Sequence, residues 1–322
     1  MAVVPYAYGP VPSRRLGRSL GINNIPAKTC SYACIYCQVG STSRMQIERQ
    51  AFFEPDDILR AVQAKVLQAL DVSETIDYLA LVPDGEPTLD EALGRTIDLL
   101  KPLGIAIGVI TNSSLLWRDD VRRDLAKADW VSMKIDAVDD KIWRRINRPH
   151  KALHLSDVLD GMQIFAANFA GKLVTETMLV HGVNDHDESL EGIAGFLNRL
   201  QPLTAYLGVP TRPPAVEGVR GSDEETVHRA YRMFAENVKQ VEYLIGYEGN
   251  AFASSGDAKN DLLSITAVHP MREDAVRCLL SRAKASWDIV DQMIAEGDLM
   301  ETPYQGHRFY IRRFGSRTET QG

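Results

Sequence analysis

The chain has 322 residues, 45% hydrophobic and 25% charged, with a net charge of −7 and four cysteines. The length allows one large domain plus a small one. The negative charge argues against a broad nucleic-acid-binding surface and leaves room for a local basic patch. No apolar leader and no run long enough to span a bilayer is visible, and the few, clustered cysteines suit a reducing compartment, so a cytoplasmic protein with no membrane association is expected.

In chain order, a strand is expected over 19–25, then a helix from Asp56 to Leu70 with Pro55 and two acids at its start. Strands at 76–82, 105–110, 130–136, 172–180, 203–209 and 241–245 alternate with helices at 89–100, 118–126, 155–168, 188–200 and 223–234. Seven near-continuous apolar strands separated by helices predict an α/β fold with a parallel sheet. Function in such folds sits at the carboxyl ends of the strands.

Three cysteines stand together as Cys30-x3-Cys34-x2-Cys37. Three thiolates can hold three irons of a [4Fe–4S] cube and leave the fourth open, whereas electron-transfer clusters normally have four cysteine ligands. An open metal position is the mark of a catalytic site. Structural zinc usually takes paired Cys-x2-Cys elements, and the one remaining cysteine, Cys278, lies far along the chain in an apolar helical stretch and reads as a core thiol. A second cysteine-ligated cluster cannot be built from it.

The run, with Tyr36 just before its last cysteine, resembles the cluster motif of the radical S-adenosylmethionine (SAM) enzymes. The resemblance implies an open, partial (β/α)6 barrel in which the open iron chelates the amino and carboxylate groups of SAM. The reduced cluster cleaves SAM to a 5′-deoxyadenosyl radical that abstracts hydrogen from substrate. An external flavodoxin- or ferredoxin-like electron donor is implied. Further matches follow from the same resemblance. Asp84-Gly85-Glu86-Pro87 is similar to the family's Gly-Gly-Glu-Pro motif for the SAM amino group, with Asp84 in place of the first glycine. Asn112, Ser132 and Asp136 stand where polar contacts to SAM occur. Lys134 has three candidate partners: the SAM carboxylate, Asp136 or an acidic substrate. On the next strand either Glu176 or Thr177 points inward. Arg14 and Arg212 are substrate candidates, because arginine forks suit carboxylate or phosphate. His181 and His269 read as loop or cap residues.

After Tyr247-Glu248-Gly249-Asn250 the alternation stops. A barrel over 1–250 and a small domain over 258–322 are expected, joined by a linker at 254–257. The second begins with a strand at 262–268, a helix opened by Pro270 and a helix at 286–295. A hairpin around 304–307 follows. Helices followed by a hairpin resemble a winged-helix domain, with His307, Arg308, Arg312 and Arg313 on the wing. Such a wing suits RNA, a peptide or the barrel itself.

The stretch from Gly9 to Asn23 resembles the subgroup that contains the wyosine-type tRNA-modifying enzymes. That chemistry needs a Schiff-base lysine, for which Lys134 and Lys28 are the candidates near the site. The expected function is a radical SAM enzyme acting on RNA or another large substrate. The alternatives are an activase or maturase of a partner protein and, from another class, a winged-helix iron–sulfur redox sensor.

Overall fold

A computed structural model describes residues 6–71, 73–246, 252, 254 and 256–313. The expected chain break at 247–250 lies outside them. The elements are β1 (Ala7–Ser13), β2 (Gly17–Ile22), β3 (Thr29–Cys30), β4 (Arg44–Met45), α1 (Pro55–Asp71), β5 (Tyr78–Leu81), α2 (Leu93–Leu100), β6 (Ala106–Thr111), α3 (Asp119–Leu125), β7 (Trp130–Lys134), α4 (Asp140–Ile146), α5 (Leu155–Asn168), β8 (Lys172–Met178), α6 (Asp187–Leu200), β9 (Thr204–Gly208), α7 (Glu224–Ala235) and β10 (Val241–Leu244). Then come α8 (Ala258–Thr266), β11 (Met271–Arg272), α9 (Glu273–Arg282), α10 (Asp288–Ala295), β12 (Leu299–Tyr304) and β13 (His307–Arg312).

The main sheet runs β1-β2-β5-β6-β7-β8-β9-β10. The strands from β2 to β10 are parallel, and β1 adds an antiparallel edge. β1 and β10 do not pair, so the curled sheet stays open, as the partial-barrel expectation requires. Alternate residues divide its faces. Val131 and Met133 face the outer helices and join the large core with Ile58, Val62, Leu93 and Ile97. Ala80, Trp130, Val174 and Tyr206 form a separate inner cluster closed by Leu16. Leu16 sits at the tip of the β1–β2 hairpin, which therefore plugs the barrel from below.

The helices start where capping chemistry places them. α1 carries Asp56 and Asp57 in its first turn. Asp223 caps α7 by accepting from the Thr226 N–H. α4, which the sequence pattern does not reveal, is capped by Asp139, which accepts from the Lys141 and Ile142 N–H groups. The expected helix over 89–100 begins later, at Leu93, after a short 3-10 turn at Pro87–Leu89.

Two C-terminal expectations are corrected. Residues 262–268 are not a strand: α8 occupies Ala258–Thr266, capped by Asp257 accepting from the Asn260 N–H. Ala258, Leu262 and Ile265 fall on one buried face at helical spacing, a period that a short apolar run hides. Pro270 does not open a helix. It precedes β11, which pairs with Phe309 and Tyr310 of β13 before α9 starts at Glu273. The resulting order is helix, strand, two helices and a hairpin, with a three-stranded sheet β11-β13-β12. The hairpin turn is Gln305-Gly306, both at positive φ. Phe314, expected to end the last strand, lies outside the described residues. Cys278 is half-buried on α9 rather than a fully buried core thiol. The core of this C-terminal unit takes in Tyr8 and Val11 of β1, so the two units share apolar surface.

Candidate active site

The carboxyl ends of β5 to β9 bring together the loops that carry most of the expected site residues. Cys30 ends β3, and Cys34 and Cys37 follow in a loop held over the barrel mouth. That loop is tied down from several sides. The Ala33 N–H donates to the carbonyls of Asn147 and Arg148 (3.1 Å each), and the Ile35 N–H to that of Ile146 (2.9 Å). Asn147 also donates from Nδ2 to Cys34 Sγ (3.4 Å) and to Asp136 Oδ2 (2.7 Å). Asp136 Oδ2 further accepts from the Tyr36 hydroxyl, and Oδ1 from the Met178 N–H (2.9 Å). Asp136 is buried, and its carboxylate is engaged within the protein; it anchors the cysteine loop to the sheet.

Each cysteine sulfur meets an N–H. Asn112 Nδ2 lies 3.4 Å from Cys30 Sγ, and the backbone around Tyr32 and Val39 donates to Cys30 and Cys37. Burial pushes all three thiols up, Cys34 to about 12. Half-buried sulfurs met by N–H donors fit thiolates whose charge a metal neutralises. Among the described residues no group of three or more His, Cys, Asp or Glu side chains is gathered at the spacing of a single ion. A cube, whose ligands attach at separate corners, does not demand that spacing. The donor set fits a cluster on Cys30, Cys34 and Cys37 with one iron left for SAM.

The loop after β5 is built on Gly85 and Glu86. A Cβ on Gly85 would lie 2.0 Å from the Thr29 carbonyl oxygen, so only glycine fits against the strand that carries Cys30. The Glu86 N–H donates to that same carbonyl (3.1 Å). Glu86 Oε1 accepts from the Thr88 N–H (3.1 Å), the Thr88 hydroxyl (2.6 Å) and the Thr111 hydroxyl (2.7 Å). Oε2 accepts one bond, from the Asn112 N–H (2.7 Å). Oε2 thus keeps acceptor capacity for a ligand ammonium. Asp84, standing where the family has glycine, is paired with Lys28 across 2.7 Å; burial still pushes its carboxyl up to about 6.

Inside the barrel, Glu176 points inward, and Thr177 instead donates to the Ile135 carbonyl (2.8 Å). Lys134 Nζ donates to Glu176 Oε1 (2.7 Å) and lies 5.0 Å from the Tyr36 ring centre. Arg15 of the plug donates to Glu176 Oε2. Burial would raise the Glu176 carboxyl, but Arg15 and Lys134 outweigh it and hold it at about 2. Burial would lower the Lys134 amine, but Glu176 and Asp136 outweigh it and hold it up, so Lys134 is a fixed cation. Ser132, one step lower on the same face, is buried with its hydroxyl unpartnered among protein atoms.

Replacing Glu176 with glutamine leaves two buried cations without their counter-charge and is expected to destabilise the protein by about 3 kcal/mol or more. The Glu176 contribution is present above the ordinary carboxylate range and is lost as pH falls toward about 2. Denaturation of Glu176→Gln across this acid range should show a shallower loss of stability than the wild type; an equal slope would contradict the assignment.

The two arginine candidates part ways. Arg14 does not face the site: its guanidinium donates to the carbonyls of Ile245 (2.6 Å) and Gly246 beyond β10, bracing the open side of the barrel. Arg212 lies near the mouth, where its charge acts on Tyr8, Glu176 and His269. His269 lies in the loop that follows α8, as expected, and is buried there; burial lowers its imidazole well below the ordinary value, and its ring meets Phe252 edge-on. His181 is exposed, 3.6 Å from Asp185. Asn147 was not legible as a site residue; Arg15, beside Arg14 in the same arginine run, is the one that turns inward to Glu176.

The Radical SAM superfamily model matches residues 24–192, which takes in all three cysteines and the strands that face them. The chain belongs to the radical SAM superfamily. A UPF0026 protein of Methanocaldococcus jannaschii is 45% identical over 313 residues, 97% of each chain. A UPF0026 protein of Synechocystis is 37% identical over 217 residues, 66% of this chain and 78% of its own. Among solved structures, a radical SAM methyltransferase from Sphaerobacter thermophilus aligns with TM-score 0.55 over 72% of this chain and 69% of its own, at 18% identity. TYW1 with a lysine–pyruvate adduct bound aligns with TM-score 0.53 over 69% of this chain and 74% of its own, also at 18% identity. These structural likenesses are ones of fold. Radical SAM proteins are enzymes that use a [4Fe–4S] cluster and S-adenosylmethionine, the two cofactors the cysteine motif implies. No described helix is long and apolar enough to cross a membrane.

Proposed function

We propose that this radical SAM protein binds its cluster on Cys30, Cys34 and Cys37, binds SAM in the barrel mouth, and abstracts hydrogen from RNA or a similarly large substrate. The observation that carries the cofactor reading is the convergence of three sulfur-directed N–H groups, the Glu86 loop and the unpartnered Ser132 hydroxyl at one end of the sheet. When bound, the cluster supplies the electron that cleaves SAM. The chain's part is to hold and shield. Glu86 Oε2 and the loop carbonyls receive the SAM ammonium. Lys134 supplies a fixed positive charge for its carboxylate. Ser132 offers a hydroxyl from the barrel wall.

Pyruvate condensation of the wyosine type is disfavoured. Lys134 is held protonated by Glu176, and a protonated amine is not a nucleophile. Lys28 is paired with Asp84.

Glu86→Gln tests the loop. The amide places an NH2 against N–H and O–H donors, at a cost of about 1–3 kcal/mol. The cluster should still load, and SAM affinity should fall on the order of tenfold. Unchanged SAM affinity by equilibrium binding would remove Glu86 from the site.

The C-terminal order of helix, strand, two helices and hairpin supports a winged-helix unit over 258–322, set beside a barrel over 1–250. Its α10 begins with Asp288 and carries Asp291, charges that repel phosphate. Nucleic acid is therefore best received on the hairpin. Free cysteines support a reducing, cytoplasmic setting, and an external flavodoxin- or ferredoxin-like donor supplies the electron. The test is to incubate the reconstituted protein anaerobically with SAM, reductant and an RNA pool, then digest the RNA and weigh its nucleosides. A new SAM-dependent nucleoside supports the RNA reading. 5′-Deoxyadenosine without any change in RNA, together with a change in a partner protein, would overturn it.

A further inference from the structure

A cavity of about 580 Å3 separates the cysteine loop from the C-terminal hairpin. Three distant segments wall it: Lys28 with residues 38–41 and Ser43, Pro213 to Ala215, and Met300, Thr302 and Ile311 to Arg313. Pinning contacts hold these walls in place. The Tyr304 hydroxyl donates to the Pro210 carbonyl (3.0 Å), joining β12 to the loop after β9. The Thr211 hydroxyl lies 3.4 Å from Gln38 Oε1, joining that loop to the cysteine loop. The size is that of a small-ligand site.

Its chemistry is uneven. Pro213, Pro214, Met300 and Ile311 make flat, apolar walls. Met300 presents an exposed apolar side chain to the groove. The charged residues at the rim, Lys28, Arg312 and Arg313, are all cationic; no acid appears among the described lining residues. Arg312 is buried and donates to the Leu263 carbonyl (3.3 Å), while Arg313 is exposed beside it. Across the hairpin, Arg308 is spent on Glu273 and Glu301. Lys28 is already paired with Asp84 and Arg312 is buried, so Arg313 is the exposed cation at the rim of the groove.

We infer that the groove binds a nucleotide unit, its base between Pro213–Pro214 and Met300–Ile311 and its phosphate at Arg313. An apolar slot suits a planar ring, and an arginine fork suits a phosphate. The C-terminal unit thus forms one wall of the substrate site rather than a separate appendage. This deepens the RNA reading above and rests on it only for what the bound nucleotide is used for. A free nucleotide and a nucleotide within RNA share the chemistry.

The experiment titrates the reconstituted protein, saturated with SAM, by calorimetry with adenosine 5′-monophosphate and then with a short single-stranded RNA. Binding of the monophosphate with the SAM site filled is expected. Arg313→Glu and Met300→Asp should each weaken it by about tenfold or more, one lost charge-assisted or packing contact. RNA that competes with the monophosphate and binds more tightly identifies RNA as the source; monophosphate binding that RNA does not displace identifies a free nucleotide. Displacement by SAM, equal affinity in both variants, or no binding of either probe would overturn the inference. Arg313 is exposed, so Arg313→Glu keeps the test valid even if Met300→Asp fails to fold. If 5′-deoxyadenosine never forms while Arg313-dependent binding persists, the enzyme reading falls and the groove stands.

Discussion

Cys34→Ala is expected to give a folded protein that holds no [4Fe–4S] cluster and releases no 5′-deoxyadenosine. Cys34 sits midway in the loop, and Asn147 Nδ2 points at its sulfur from 3.4 Å. Its removal leaves two thiols for a cube that needs three corners held to keep the fourth open. The loop itself should survive. Its anchors are the Tyr36 hydroxyl on Asp136 and the backbone bonds of Ala33 and Ile35 to residues 146–148, and none of them uses the thiol. The loss of a half-buried sulfur should cost about 1 kcal/mol of stability. Iron and sulfide analysis, with a melting curve alongside, checks both parts. A variant that still binds four irons and four sulfides would contradict the ligand assignment.

Gly85→Ala should be nearly as damaging, and for a reason that has nothing to do with cofactor chemistry. The new methyl would meet the Thr29 carbonyl oxygen at 2.0 Å and that carbonyl's carbon at 3.0 Å. Both are backbone atoms and cannot rotate away. The strand must move, and it carries Cys30 one residue on. The bond from the Glu86 N–H to Thr29 would break with it. Strain and a lost bond together are expected to cost on the order of 2–4 kcal/mol. Cluster occupancy should fall at least tenfold while far-UV circular dichroism stays native. Gly195 is the control: it lies within α6, and a methyl added there would meet no atom within 4 Å, so Gly195→Ala should load normally and gain about 0.5–1 kcal/mol. Equal loading by both alanine variants would show that the close approach at Gly85 does not position Cys30.

The barrel was legible because its strands are buried on both faces and its helices carry an apolar stripe; two different periods alternate along the chain. Strand β1 is hidden in the sequence because Tyr-Gly-Pro-Val-Pro breaks the usual strand composition, and only the antiparallel pairing with β2 organises it. α8 reads as a strand because the apolar run 262–268 fits either period, and the deciding cap at Asp257 precedes it. The cysteines and Gly85-Glu86 could be recognised locally. Asn147 could not, since its role depends on α4 ending beside Cys34 from 113 residues away in sequence. Likewise Arg14 and Arg15 look equivalent in sequence. The hairpin tip sends one to the β10 edge and the other to Glu176 inside the barrel.

The most direct measurement is anaerobic. The protein is reconstituted with iron and sulfide, given a strong reductant and SAM, and assayed for 5′-deoxyadenosine by mass spectrometry. Formation of 5′-deoxyadenosine that disappears in Cys34→Ala is the predicted result. A fully loaded cluster that neither binds nor cleaves SAM would contradict the account.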